Sequence, residues 1–313
     1  MSAAPSLSSR VSRSIVCALA LGSACLSSAC SIRSYAVDSL AHALSKSGST
    51  FASDDDPELV REALPFSLKL IESVLAEKPD NEGLLVASAK GFTLYAFAFV
   101  QQDAEKIAER DLARAEELRA RSRKLYARAR GYALRALALR HPRIEDELRK
   151  DPARALADAK LDDVPALYWT AASWGALIAV SKDRADVVAD QPIVEALIDR
   201  ALTLDESFDS GAIHAFLIAY EPSRLGARNG WEARSRAHFD RAIAESDHAL
   251  AAPFVALAET VSLQKQDRRE FEALLASALS IDVDSHPAWR LQNLVSQDRA
   301  RWLLSREDEL FVD

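Results

Sequence analysis

Thiols are the most reactive side chains a chain can carry, and this one of 313 residues has three: Cys17, Cys25 and Cys30. From residue 31 onward there is none. Cysteines placed this way cannot build a disulfide framework or a cysteine metal site in the body. They suit attachment. Arg10 and Arg13 precede an apolar run over residues 15–26, and residues 1–29 hold no acid. A basic start, a short apolar core and small residues behind it describe a secretory signal. The run is too short to cross a bilayer, which takes roughly 20 apolar residues. Leu26-Ser27-Ser28-Ala29 leads into Cys30, the context that a lipoprotein signal peptidase cuts. The sulfur of Cys30 then carries diacylglycerol and the freed amine a further acyl chain. Each buried CH₂ contributes about 0.8 kcal/mol, so two or three chains anchor stably. Leu26 stands four residues before the cysteine rather than three, which leaves two alternatives open: release after Ala29, and acylation at Cys25 behind Gly22-Ser23-Ala24. Ser31 in place of an aspartate points to the inner leaflet of the outer membrane, facing the periplasm.

Other chemistry is sparse. The sequence holds no G-x-S-x-G, H-E-x-x-H, C-x-x-C or glycine-rich phosphate loop, so no catalytic residue, metal ligand or cofactor is assigned. The six histidines form no i, i+4 pair. His214, within GAIHAFLIAY, reads as a core or hairpin-contact histidine. Asp162-Asp163 beside Pro165 reads as turn and capping chemistry. One cluster stands out in a chain that is 7% aromatic: PALYWTAASWGALIAV places Tyr168, Trp169 and Trp174 among Ala171, Ala172, Ser173 and Gly175. Aromatic rings most often fill cores, and packing is the preferred reading. The sharper one makes Tyr168, Trp169 and Trp174, with Tyr220 on GAIHAFLIAY, the wall of an apolar ligand cavity.

These residues are carried by helices. Alanine, leucine, arginine and glutamate dominate, and only 9 glycines and 11 prolines occur. Residues 45–57 read as a loop, with Asp55 or Asp56 as N-cap before Pro57. A clean 3.6-residue stripe from Ala104 to Leu137 predicts one helix over residues 103 to 140, closed by His141-Pro142. No stretch after residue 30 reads as a membrane span. Five segments share one shape, a helix closing into a turn: VLAEKPD (74–80), ALALRHP (136–142), ALTLDES (201–207), AIAESDH (242–248) and ALSIDVD (278–284). Their spacing suits stacked antiparallel helix hairpins, degenerate and tetratricopeptide-like. The fold expected is all-α: a signal peptide over 1–29, a lipidated N-terminus and linker over 30–56, and a single helical domain over 57–313. A net charge of −8 argues against nucleic acid as a partner.

In order along the chain, ACSIRSYAVDSLAHAL, PALYWTAASWGALI, LIDRALTLDESFDSGAIHAFLIAYE, AHFDRAIAES, PFVALAETVSLQKQDRREFEALLASAL and RLQNLVSQDRARWLLSREDELF resemble one family. It is the T component, TatT, of bacterial tripartite ATP-independent periplasmic (TRAP) transporters, lipoproteins with cryptic tetratricopeptide hairpins. The loop GARNG departs from the family's tight Gly-Gly turn before AHFDRAI. The resemblance implies a non-enzymatic, periplasm-facing lipoprotein that works with a TRAP-type substrate-binding protein. It further implies a homo-oligomer, of which a trimer is one form, and an apolar tunnel for a small organic or hydrophobic cargo. The rival class is a tetratricopeptide scaffold lipoprotein serving envelope or outer-membrane protein assembly, without cargo.

Overall fold

Asp56 begins the first long helix, α1 (Pro57–Glu77). Its carboxylate accepts from the Glu58 and Leu59 amides at 3.0 and 3.1 Å, and Pro57 gives up no hydrogen bond at the first helical position. The computed structural model describes residues 41, 43–44, 48–227 and 229–312, so Cys30 and the signal segment lie outside the described residues. Among the described residues every regular element is helical.

After α1 come α2 (Glu82–Tyr95), α3 (Leu112–Ala138), α4 (Ile144–Lys150), α5 (Val164–Ala179), α6 (Gln191–Leu204), α7 (Phe208–Tyr220), α8 (Trp231–Glu245), α9 (Ala252–Leu257), α10 (Arg268–Ser280) and α11 (Arg290–Leu304). Helices end at Glu77, Ala138, Leu204, Glu245 and Ser280, each inside one of the five turn segments expected. Neighbours pack antiparallel. Leu68 of α1 lies against Gly91 of α2, where a Cβ would stand only 2.6 Å from it. Arg61, about two turns earlier, meets the Phe99 carbonyl at 3.1 Å. Phe92 of α2 stacks on Tyr132 of α3 at 6.0 Å, while the Tyr126 hydroxyl donates to Gln101 at 2.7 Å.

Three features differ from the expectations. The stripe from Ala104 to Leu137 belongs to two helices, not one. Gln102–Ile107 continues α2, the chain turns over residues 108–111, and Asp111 caps α3 by accepting from the Arg114 amide at 2.9 Å. An aspartate gains more as an N-cap than inside a helix, where it competes for backbone hydrogen bonds. Leu112, which the stripe would bury, is 63% exposed at the start of α3. Second, α2 and its continuation form a helix of 26 residues, Glu82–Ile107, whose most apolar 18-residue stretch has mean hydropathy 1.5, long and apolar enough to span a bilayer. More than half of it is buried inside the protein, between α1, α3 and α5, as the central core helix. Third, Gly48–Ala52 is helical within the stretch expected as loop. Phe51 packs there on the same core cluster as Leu291 and Val295 of α11, and Arg290 donates to the Ser53 carbonyl at 2.9 Å.

That last contact closes the chain on itself. Lys106 and Asp298 pair at 2.5 Å, and Arg299 of α11 bridges Glu105 and Glu259 at 2.7 and 2.6 Å. Two helices are wound wider for one turn, at Ala96–Gln101 and at Ala258–Ser262, with i→i+5 bonds from Gln102 to Phe97 and from Leu263 to Ala258. Both wide turns follow apolar inner helices.

Candidate functional site

The buried helix α5 carries most of the aromatic cluster. Its polar side chains are satisfied internally: the Thr170 and Ser173 hydroxyls donate to the Ala166 and Trp169 carbonyls at 2.6 and 2.7 Å. Trp169 and Trp174 point about 140° apart around the axis, and they reach different surroundings. Trp174 is wholly buried in the main core. Its indole nitrogen donates to Asp190 at 3.2 Å, and the Arg130 guanidinium lies 4.6 Å above the ring. Arg149 lies 5.8 Å from the same ring and holds Asp190 at 3.0 Å. Every face and the single donor of Trp174 are engaged, as in a packing site.

The other three aromatics belong to one continuous cluster, in which Trp169 and Tyr220 are buried and Tyr168 is half-buried. Tyr168 meets Trp169 edge-on at 4.9 Å and Phe208 at 5.3 Å. Trp169 sits among Ala89, Ala133 and Ala172, with Tyr132 and Phe216 half-buried beside it. Phe216 stacks on Tyr220 at 5.1 Å. Thus α2, α3, α5 and α7 each contribute to one aromatic patch whose neighbours are small. Lys90 rims it, 5.6 Å from the Trp169 ring and 3.4 Å from Asp209. Burial pushes the Tyr168 phenol up, with Asp209 adding to the effect, and burial likewise raises Tyr220. The Tyr220 hydroxyl is buried without a hydrogen-bond partner. Tyr132 is pushed up to about 12 by burial and by its bond to Glu72 at 2.7 Å. The sequence reading missed Phe216 and Tyr132. Phe216 stands four residues before Tyr220, on the same helix face, and that spacing was the available signal.

His214 lies in the contact between α7 and α8, as expected of a hairpin histidine, yet its partner is a second histidine. The two Nδ1 atoms are 2.9 Å apart. His238 Nε2 stands 3.8 Å from Glu221, a buried carboxylate clamped by Arg224 at 2.6 Å and by Arg234. His214 Nε2 has no hydrogen bond and lies 4.0 Å from Glu206. Burial, with the neighbouring His214 charge, pushes His238 down to about 4, and burial lowers His214 as well. Asp163 behaves as a capping residue: it accepts from the Lys160 amide at 2.8 Å and faces His141 at 3.0 Å. Among the described residues no cluster of three or more histidine, cysteine or acidic side chains could hold a metal ion.

Fold and site together define an all-helical protein of packed helices with an aromatic cluster buried where α2, α3, α5 and α7 meet. The family described as TRAP transporter T-component matches residues 53–311. The chain belongs to that family, and its role is that of an accessory component in TRAP transport. It is also similar to an uncharacterised protein of Treponema pallidum (strain Nichols), 27% identical over 321 residues, covering 95% of this chain and 98% of the relative.

Proposed function

We propose that this protein is a periplasm-facing lipoprotein of the bacterial envelope, held by acyl chains on Cys30. It pairs with a TRAP-type periplasmic substrate-binding protein and does no covalent chemistry. The observation that carries the reading is family membership across residues 53–311, nearly the whole body. Its hairpins are degenerate tetratricopeptide-like units, and it works as a homo-oligomer. A small organic or hydrophobic cargo passes along an apolar tunnel to which Tyr168, Trp169 and Tyr220 contribute. The small neighbours Ala89, Ala133 and Ala172 support that use of the aromatic patch. Complete burial of Trp174 supports a packing role for that residue instead.

The experiment is cross-linking in the native envelope followed by affinity capture of the tagged full chain. Enrichment of a periplasmic substrate-binding protein encoded beside a TRAP permease is expected. Capture of outer-membrane assembly proteins without it would overturn the transport reading in favour of a scaffold. Fractionation of Cys30→Ala tests the anchor: the variant is expected to leave the membrane fraction, and a wild type that is itself freely soluble and unacylated refutes it.

A further inference from the structure

A concave surface lies on the other half of α2, away from the aromatic cluster. It is a cleft of about 420 Å³ formed by α1, the continued α2 and the start of α3. That volume is within the usual range for small-molecule sites, roughly 300–1,000 Å³. Ala89, in the aromatic patch, and Phe99, in this cleft, are ten residues apart on α2, about 15 Å along the axis. The two surfaces are therefore separate.

The cleft has an apolar floor and a basic rim. Tyr95, Phe99 and Leu118 are each nearly buried and form the floor. Arg61, Lys106, Arg114 and Arg121 line the rim, against the lone carboxylate of Asp103. Glu58, Asp298 and Glu117 pair with three of these cations from beyond the lining. The four cations are not equally occupied. Arg61 is held by Asp103 at 2.5 Å, and Lys106 by Asp298 at 2.5 Å. Arg114 reaches Glu117 at 2.6 Å, but both groups are exposed, and such pairs contribute little. Arg121 makes no ion pair among the described residues. It donates to the Tyr95 hydroxyl at 3.1 Å and lies 5.6 Å from that ring. One guanidinium thus has no carboxylate partner among the described residues and lies over an aromatic ring, and a second is easily freed.

The backbone beneath the cleft is also unusual. Tyr95 and Phe99 border or lie in the wide turn Ala96–Gln101. Such turns cost regular helical bonding and recur at functional sites. Here the turn brings the Phe99 carbonyl to Arg61 and sets the Arg61 guanidinium 4.9 Å from the Phe99 ring.

We infer that this cleft binds a small amphiphilic carboxylate. Its anionic end is taken by Arg121 and Arg114, and its apolar part lies on Phe99, Ile107 and Leu118. Arginine matches a carboxylate with two parallel hydrogen bonds, and the floor removes an alkyl or aryl chain from water. A bare phosphate or sulfate would use the rim and waste the floor. A free carboxylic acid uses both. The inference goes beyond the transport reading and stands or falls without it.

The test is isothermal titration of the full chain with sodium octanoate, acetate, inorganic phosphate, octanol and a glutamate-rich peptide. Saturable binding of octanoate is expected, with acetate, phosphate and octanol each weaker by roughly tenfold or more. Arg114→Glu with Arg121→Glu, both on the exposed face of α3, should weaken octanoate by at least about tenfold. Arg301→Glu with Arg269→Glu, an equal charge change on the exposed faces of α11 and α10, should leave it unaltered. Circular dichroism of each variant confirms that the fold is intact. No saturable octanoate binding, phosphate binding as tight as octanoate, preferential binding of the peptide, or octanoate affinity unchanged in the double variant would each overturn the inference.

Discussion

Trp174→Ala removes the best-buried large side chain of α5. The ring is wholly inaccessible, so the full area of an indole is at stake. An aromatic side chain buries roughly 150–250 Å². At about 25 cal/mol per Å² that amounts to ~4–6 kcal/mol of transfer free energy, part of which the alanine methyl retains. The cation over the ring at 4.6 Å adds about 0.5–2 kcal/mol. The lost bond to Asp190 costs less than a fully orphaned carboxylate would, because Arg149 still holds that group at 3.0 Å. The expected loss is therefore about 4 kcal/mol, in line with large-to-small aromatic substitutions in cores. With a urea slope of about 3 kcal/mol per M, the unfolding midpoint should fall by roughly 1 M or more. Trp169→Ala should cost less, about 2–3 kcal/mol, because its setting of alanines and a solvated Lys90 rim offers fewer partners. The assay is urea unfolding followed by far-ultraviolet circular dichroism, with Trp174→Phe as the conservative companion. If Trp169→Ala proves the more damaging, or Trp174→Ala moves the midpoint by less than about 0.3 M, the division of the cluster into a packed half and a patch half is wrong.

Two further outcomes follow from the geometry. His238 is held down to about 4 by burial and by the facing His214, despite Glu221 and Asp199 nearby, whereas an unfolded histidine takes a proton near 6.5. The unfolded chain thus binds more protons as pH falls from about 6.5 toward 4, so stability should drop across that window and stay flat above it; a His238→Gln variant whose urea midpoint keeps the same pH slope would refute this. Asp56→Ala removes the cap that accepts from the Glu58 and Leu59 amides, and it should lower stability by about 1 kcal/mol with no loss of helix elsewhere; an unchanged thermal midpoint would show that α1 starts independently of its cap.

Local chemistry was legible in the chain, because each local signal acts within a turn or two. Helix propensity made the body all-α, and five closing segments located five helix ends. Asp56-Pro57 announced the start of α1 through one side chain and one missing amide. The same local logic, applied without the cap at Asp111, ran two helices together, since a continuous apolar stripe records burial and not which helix does the burying. It also judged no stretch after residue 30 long enough to span a membrane, because the continuity of Glu82–Ile107 as one helix shows only in the fold. The aromatic cluster was legible as composition but not as a surface. A separation of five residues sends Trp169 and Trp174, both buried, to different core clusters, and only the packing of the neighbouring helices decides which neighbours each meets. The pairing of His214 with His238, the return of α11 onto Gly48–Ala52, and the basic cleft that gathers Arg61, Phe99 and Arg121 join residues 24 to more than 200 positions apart. Such contacts depend on how helices cross, which is set by the summed packing of many side chains rather than by any one segment, and the tertiary structure alone determined them.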